Sequence, residues 1–207
     1  MKFTYQNYNS AALDADGLAN DVAYSGGGFA LSAAGPGDGL GHIVTILGNA
    51  ATNHSGKTFT ITGTNPEDQP ISQGIAGPNG VATVSSTLYF KTVTSVTVNS
   101  TTGADTFDIG WTAAAVGEKV FINNVNDPVI NATVFCRVAS GTPGYGVQWT
   151  GDASDDADDS TSWLAHSTIA AKTATFAGQI TFPVFAMRLI FSAAGRVQMT
   201  VIEPYNA

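Results

Sequence analysis

Apolar residues at every second position, set between turns of Gly, Pro, Asn and Asp, constrain this chain more than any other feature of it. Val134, Cys136 and Val138 share one phase, as do Phe185, Met187, Leu189 and Phe191, and again Val197, Met199 and Val201. A period of two puts such residues on one face of a strand, whereas a helix would scatter them around its circumference. Thr58 to Thr62 alternates in the same way, with Phe59 and Ile61 on the apolar side. His42 to Leu47 is apolar on both phases, as a strand covered on both faces requires. Only Ala11 to Asn20 and Trp163 to Lys172 are helix-permissive. The predicted fold class is therefore mainly β, with two tandem β-sandwich or jelly-roll-like units and an N-terminal arm.

The turn chemistry sets the boundaries. Residues 1–40 read as an arm and a Gly-rich loop, because Ser10 to Val22 lacks β-branching and Gly26-Gly27-Gly28 opposes regular structure. A first β-unit is predicted over 41–117 and a second over 118–207. Within the first, Asn65-Pro66-Glu67-Asp68-Gln69-Pro70 and Gly77-Pro78-Asn79-Gly80 are turns. Leu88, Phe90, Val96 and Val98 share a phase that Val93 breaks, which predicts a bulge between Thr92 and Ser95. In the second, Gly141-Thr142-Pro143-Gly144 reads as a turn and Gly151 to Ser162 as a long polar loop. Glu203-Pro204 ends the last strand.

Charge and cysteine content narrow the function. A formal net charge of −8 opposes the basic footprint that nucleic acid or an anionic membrane surface demands, so neither is an expected partner. No stretch has the apolar length of a membrane-spanning helix. The start, Met1 to Tyr8, lacks the apolar run of a secretory signal, so synthesis in a host cytoplasm is expected. On that expectation the sequons at Asn53, Asn99 and Asn131 are coincidences of a Thr/Ser-rich chain. Cys136 is the only cysteine and reads as a core thiol.

Candidate chemistry is sparse. Asp152 to Asp159 gathers acidic residues, yet its spacing departs from a calcium loop and no Glu completes it, which favours a solvated loop. Asp14-Ala15-Asp16-Gly17, with Asp21 nearby, is a shorter version read as an N-cap or turn. His42, His54 and His166 lie far apart without zinc-ligand spacing and read as ordinary surface or strand histidines. No nucleophile motif is present, so the chain is not expected to be an enzyme, and no cofactor is expected. Trp111, Trp149, Trp163 and Tyr145 could form a sugar-stacking platform. Trp149 shares the inward phase of Val147, which leaves Trp163 as the tryptophan expected at the surface. Phe3, Tyr5 and Tyr8 recur near the N-terminus, where an extended arm needs a partner to bury them.

Lys57-Thr58-Phe59-Thr60-Ile61-Thr62-Gly63-Thr64-Asn65, then Gly77-Pro78-Asn79-Gly80, then Phe90-Lys91-Thr92-Val93-Thr94-Ser95-Val96-Thr97-Val98, resembles a pattern frequent in structural proteins of tailed bacteriophages. Later, Val147-Gln148-Trp149-Thr150, the acidic loop and Trp163 precede Phe182 to Leu189 and Gly195 to Ile202. That order is similar to the ending of small virion proteins. The resemblance implies a virion structural protein, most like the capsid decoration or cement proteins. Its implied partners are the major capsid protein and its own copies in a trimer or dimer, on the capsid exterior. A receptor- or glycan-binding fibre module, or a tail or neck component, is the alternative the same architectures allow.

Overall fold

The structure is a computed structural model that describes residues 2–122, 132–151 and 163–203. Among these residues the chain is all-β and contains no helix. The strands are β1 (Lys2–Ser10), β2 (Asp14–Ala23), β3 (Gly41–Gly48), β4 (Thr58–Thr64), β5 (Pro70–Ala76), β6 (Thr83–Phe90) and β7 (Thr92–Val98). They continue with β8 (Thr106–Val116), β9 (Val120–Phe121), β10 (Ala132–Thr150), β11 (Leu164–Ala165), β12 (Phe176–Ile180) and β13 (Ala186–Glu203). Two compact units result: a sandwich unit, Leu13–Ala115, and a ribbon unit, Met1–Ala12 with Val116–Ala207.

In the sandwich unit, β8 lies between β2 and β3, and β3 pairs in turn with β6. The second sheet has the order β5-β4-β7. Both sheets feed one core, in which Val44, Ile46, Phe107 and Ile109 of the first meet Phe59, Ile61, Val96 and Val98 of the second. Each fully buried side chain of this size stabilises the fold by about 1.5–3 kcal/mol. The expected bulge is present. Thr62 pairs with Ser95 but Gly63 pairs with Val93, so Thr94 is the extra residue, and Val93 and Val96 can both point inward. Gly63 is required there, because a Cβ on it would lie 1.8 Å from the Thr92 carbonyl oxygen.

Residues 24–40 form the expected loop, but the residues before them are not an arm. The β1 strand pairs antiparallel with β13 over its whole length, from Lys2 with Glu203 to Ser10 with Gly195. Helix-permissive Ala11 to Asn20 is largely β2, which pairs with β8 through two register shifts that let the adjacent Leu18 and Ala19 both be buried. The Gly-rich segment follows the edge of β7. The Phe29 N–H donates to the Val96 carbonyl at 2.9 Å and the Val93 N–H to the Ala34 carbonyl at 2.7 Å. Phe29 thereby enters the core, with its ring 5.7 Å from Phe59 and 5.4 Å from Phe107. The boundaries expected at residues 41–117 and 118–207 move accordingly, and the first strand belongs with the C-terminal half.

The ribbon unit is built on β10 and β13, 19 and 18 residues long, paired antiparallel from end to end. On the far side of β13 lie β1 at one end and β9 at the other, and on the far side of β10 lie β12 and β11. Gly141 to Gly144, expected to be a turn, instead lies within β10. Register shifts at Val138/Ser140, Gly141/Gly144 and Gly144/Tyr145 absorb the irregular residues, and Gly141 has φ +73°. Trp163 to Lys172 is likewise not helical: after the short β11 it runs through bends, with Ala171 at φ +50°, and is tied to β10 by mutual hydrogen bonds between Tyr145 and Lys172 and a bond from the Val147 N–H to the Ile169 carbonyl. The inner face carries Val134, Cys136, Val197, Met199 and Val201, all fully buried.

Candidate interaction surface

The buried histidines are each hydrogen-bonded within the fold. His42 is 1% exposed, its Nδ1 2.9 Å from the Thr112 carbonyl and its Nε2 2.9 Å from the Asp38 carboxylate, so it ties the loop before β3 to β8. His54 meets Asp105 through Nε2 at 3.0 Å. The Asp105 carboxyl is held below the ordinary range first by the Thr52 side chain, then by the hydrogen bond and charge of His54. His166 accepts the Thr168 N–H at Nδ1, at 3.2 Å. All three histidines are buried; His42 is a strand histidine as expected, in β3, while His54 and His166 lie outside strands and are not at the surface. Burial pushes the Cys136 thiol up to about 12, which leaves no thiolate nucleophile at neutral pH.

The other candidates dissolve in the same way. Asp14 accepts the Asp16 N–H at 3.4 Å, Asp16 accepts the Asn20 amide, and Asp21 accepts from Asn49 and Thr106. Among the described residues no group of three His, Cys, Asp or Glu side chains could hold a metal ion. Asp152 to Asp159 lies outside the described residues. Trp163 is 7% exposed, covered by the Arg188 guanidinium 4.1 Å from its ring centre, and Trp111 is 8% exposed. The tryptophan expected at the surface is thus buried. Trp149 is half-buried with its ring edge-on to Phe182 at 4.8 Å, and Tyr145 is buried with its hydroxyl donating to the Ala174 carbonyl at 2.7 Å.

What remains is a sheet face. Directly paired residues of antiparallel strands project to the same side. The β1, β13, β10 and β12 registers therefore align Phe3, Ile202, Thr133 and Gln179 in one row, and Tyr5, Thr200, Phe135 and Ala177 in the next. A third row holds Asn7, Gln198 and Arg137, and beyond it lie Asn9, Arg196 and Ser140. Phe3 is 62% exposed, Tyr5 57% and Phe135 39%. Rings of this type each carry about 150–250 Å² of surface, so the three present on the order of 300 Å², as large as the principal apolar patch of a typical monomer. The patch spans about 15 Å across its four strands. No protein-family model matches this chain. No curated protein matches it either.

Of the three residues singled out near the N-terminus, Phe3 and Tyr5 belong to this face and Tyr8 does not. Tyr8 lies on the opposite phase, its ring against Gly117, where a Cβ would approach to 2.7 Å, and its hydroxyl accepts the Glu118 N–H at 3.1 Å. The Gln6 side chain donates to the Glu118 carbonyl at 2.9 Å from the same side. Tyr8 is a fastener that holds β1 in the unit. Sequence reasoning missed Phe135 as a partner for Phe3 and Tyr5, although the inward phase of Val134, Cys136 and Val138 already sends Phe135 and Arg137 outward.

Proposed function

We propose that this chain is a non-enzymatic structural protein of a tailed-bacteriophage particle, acting on the head exterior as a decoration or cement protein. It would bind the major capsid protein and further copies of itself. The observation that carries the reading is the exposed aromatic face of the ribbon unit, displayed across four paired strands. An exposed apolar surface with polar neighbours is of the kind that proteins dock on. The resemblance noted in the sequence supports the same reading: its first part maps onto β4 and β7, and its second onto the C-terminal end of β10 and two stretches of β13, 186–189 and 195–202.

Mechanically, packaged DNA presses outward on a head. A protein that spans two shell subunits raises the cost of separating them once each contact buries on the order of 1,200 Å². The deciding experiment is the copy number of this chain per purified particle, by quantitative mass spectrometry against the major capsid protein. About one copy per capsid subunit is expected. A few tens of copies would place the chain in a tail, neck or fibre, where the exposed rings of Phe3, Tyr5 and Phe135 would serve as a receptor or glycan platform. Absence from the particle overturns the reading.

A further inference from the structure

We infer that the occupant of the aromatic face is the acidic sandwich unit of a second copy of this chain, in a head-to-tail contact. The inference rests on the reading that the face is a protein-docking surface, and adds what docks there. The argument is one of charge. Only three arginines occur in the sequence; Arg188 is buried against Trp163, and the other two, Arg137 and Arg196, are exposed at one end of this face. The face carries no carboxylate in any of its rows from Phe3 to Asn9. The sandwich unit has the opposite character, with two lysines against eight carboxylates, a formal −6. One of those lysines, Lys91, is already paired with Asp68 at 2.8 Å.

Two arrangements of a second copy are open, and charge chooses between them. A two-fold contact would place the same face of both copies together, bringing four arginines into one interface without a carboxylate to meet them. A head-to-tail contact sets Arg137 and Arg196 against carboxylates of the neighbour's sandwich unit while the rings of Phe3, Tyr5 and Phe135 are covered. Contacts of this type repeat, since each copy keeps one free face and one free acidic unit, and they close into rings or continue as chains. On a head surface they would link copies side by side.

The test is sedimentation velocity on the purified full chain, from about 1 to 100 µM, in about 50 mM and about 500 mM NaCl, where screening shortens the reach of charge from about 14 Å to about 4 Å. The wild type should associate with rising concentration at low salt, and less at high salt. Arg137→Glu with Arg196→Glu should weaken association by about tenfold or more. Phe135→Ser, which keeps both charges, should weaken it as well, and serves as the deciding variant if thermal melting shows the double variant to be unfolded. Mixing supplies the directional test. In a head-to-tail series the double variant can add through its sandwich unit but cannot extend, so it should shorten wild-type assemblies. A wild-type–variant pair tighter than the wild-type pair, with Glu facing Arg, would instead establish the two-fold contact and overturn the inference, as would a wild type that stays monomeric at low salt. Association as described in a chain absent from virions would sink the virion reading alone, whereas a monomeric chain found in virions would sink only this inference.

Discussion

Replacing Phe29 by Ala tests whether the Gly-rich segment before β3 is a loop or part of the core. Phe29 is 6% exposed, and its ring lies 5.5 Å from Tyr24, 5.4 Å from Phe107 and 5.7 Å from Phe59, the last in a stacked arrangement. Truncation removes a buried aromatic from a site whose neighbours belong to both sheets and cannot collapse together, so the cost is about 3–5 kcal/mol. The backbone hydrogen bond from Phe29 to Val96 persists in the variant, which confines the effect to the ring. For a unit of about 100 residues each kcal/mol lowers the melting temperature by at least about 4 °C. A calorimetric scan should therefore show the sandwich-unit transition at least about 12 °C below that of the wild type. An exposed loop residue would change it by less than about 4 °C, and that result would refute the placement of Phe29 in the core.

Three further outcomes follow from single contacts. Gly63→Ala should destabilise by about 2 kcal/mol or more, because the Thr92 carbonyl occupies the space of the new methyl group and β4 must part from β7; a melting temperature within about 2 °C of wild type would contradict the bulge geometry. Tyr8→Phe should cost about 1 kcal/mol in urea unfolding by leaving the Glu118 N–H without its acceptor, whereas Tyr5→Phe should stay within about 0.5 kcal/mol; equal effects would mean that β1 is placed on the wrong phase. The Cys136 thiol is raised by burial to about 12 and Tyr145 to about 12 by burial and by the nearby thiol, so above their ordinary values the folded chain holds protons that the unfolded chain has lost. Stability from Cys136 is therefore complete below about pH 9 and declines between about 9 and 12, by about 1.4 kcal/mol per pH unit. Urea midpoints should fall less steeply with pH in Cys136→Ala, and an unchanged slope would count against a buried protonated thiol.

Local periodicity carries the phase of a strand but not the identity of its neighbour, and the gap between the two explains what was legible here. The bulge at Thr94 could be read directly, since Val93 and Val96 cannot both face inward in an uninterrupted strand. The opposite happened in β2, where Leu18 and Ala19 are buried side by side at register shifts, so no alternation announced a strand. The β1 strand misled for a different reason. Its most apolar residues, Phe3 and Tyr5, occupy the outward phase, while the inward phase holds Thr4, Gln6 and Tyr8. A chain whose apolar residues face away from its own sheet looks like an arm in search of a partner. Pairing with β13 satisfies the backbone of β1 without covering its outer face. The candidate surface was hidden because Phe3 and Phe135 meet only through β13, which pairs with both their strands. Each ring taken alone is an ordinary exposed residue. Brought to one face beside Arg137 and Arg196, they form one exposed surface that is at once apolar and positively charged.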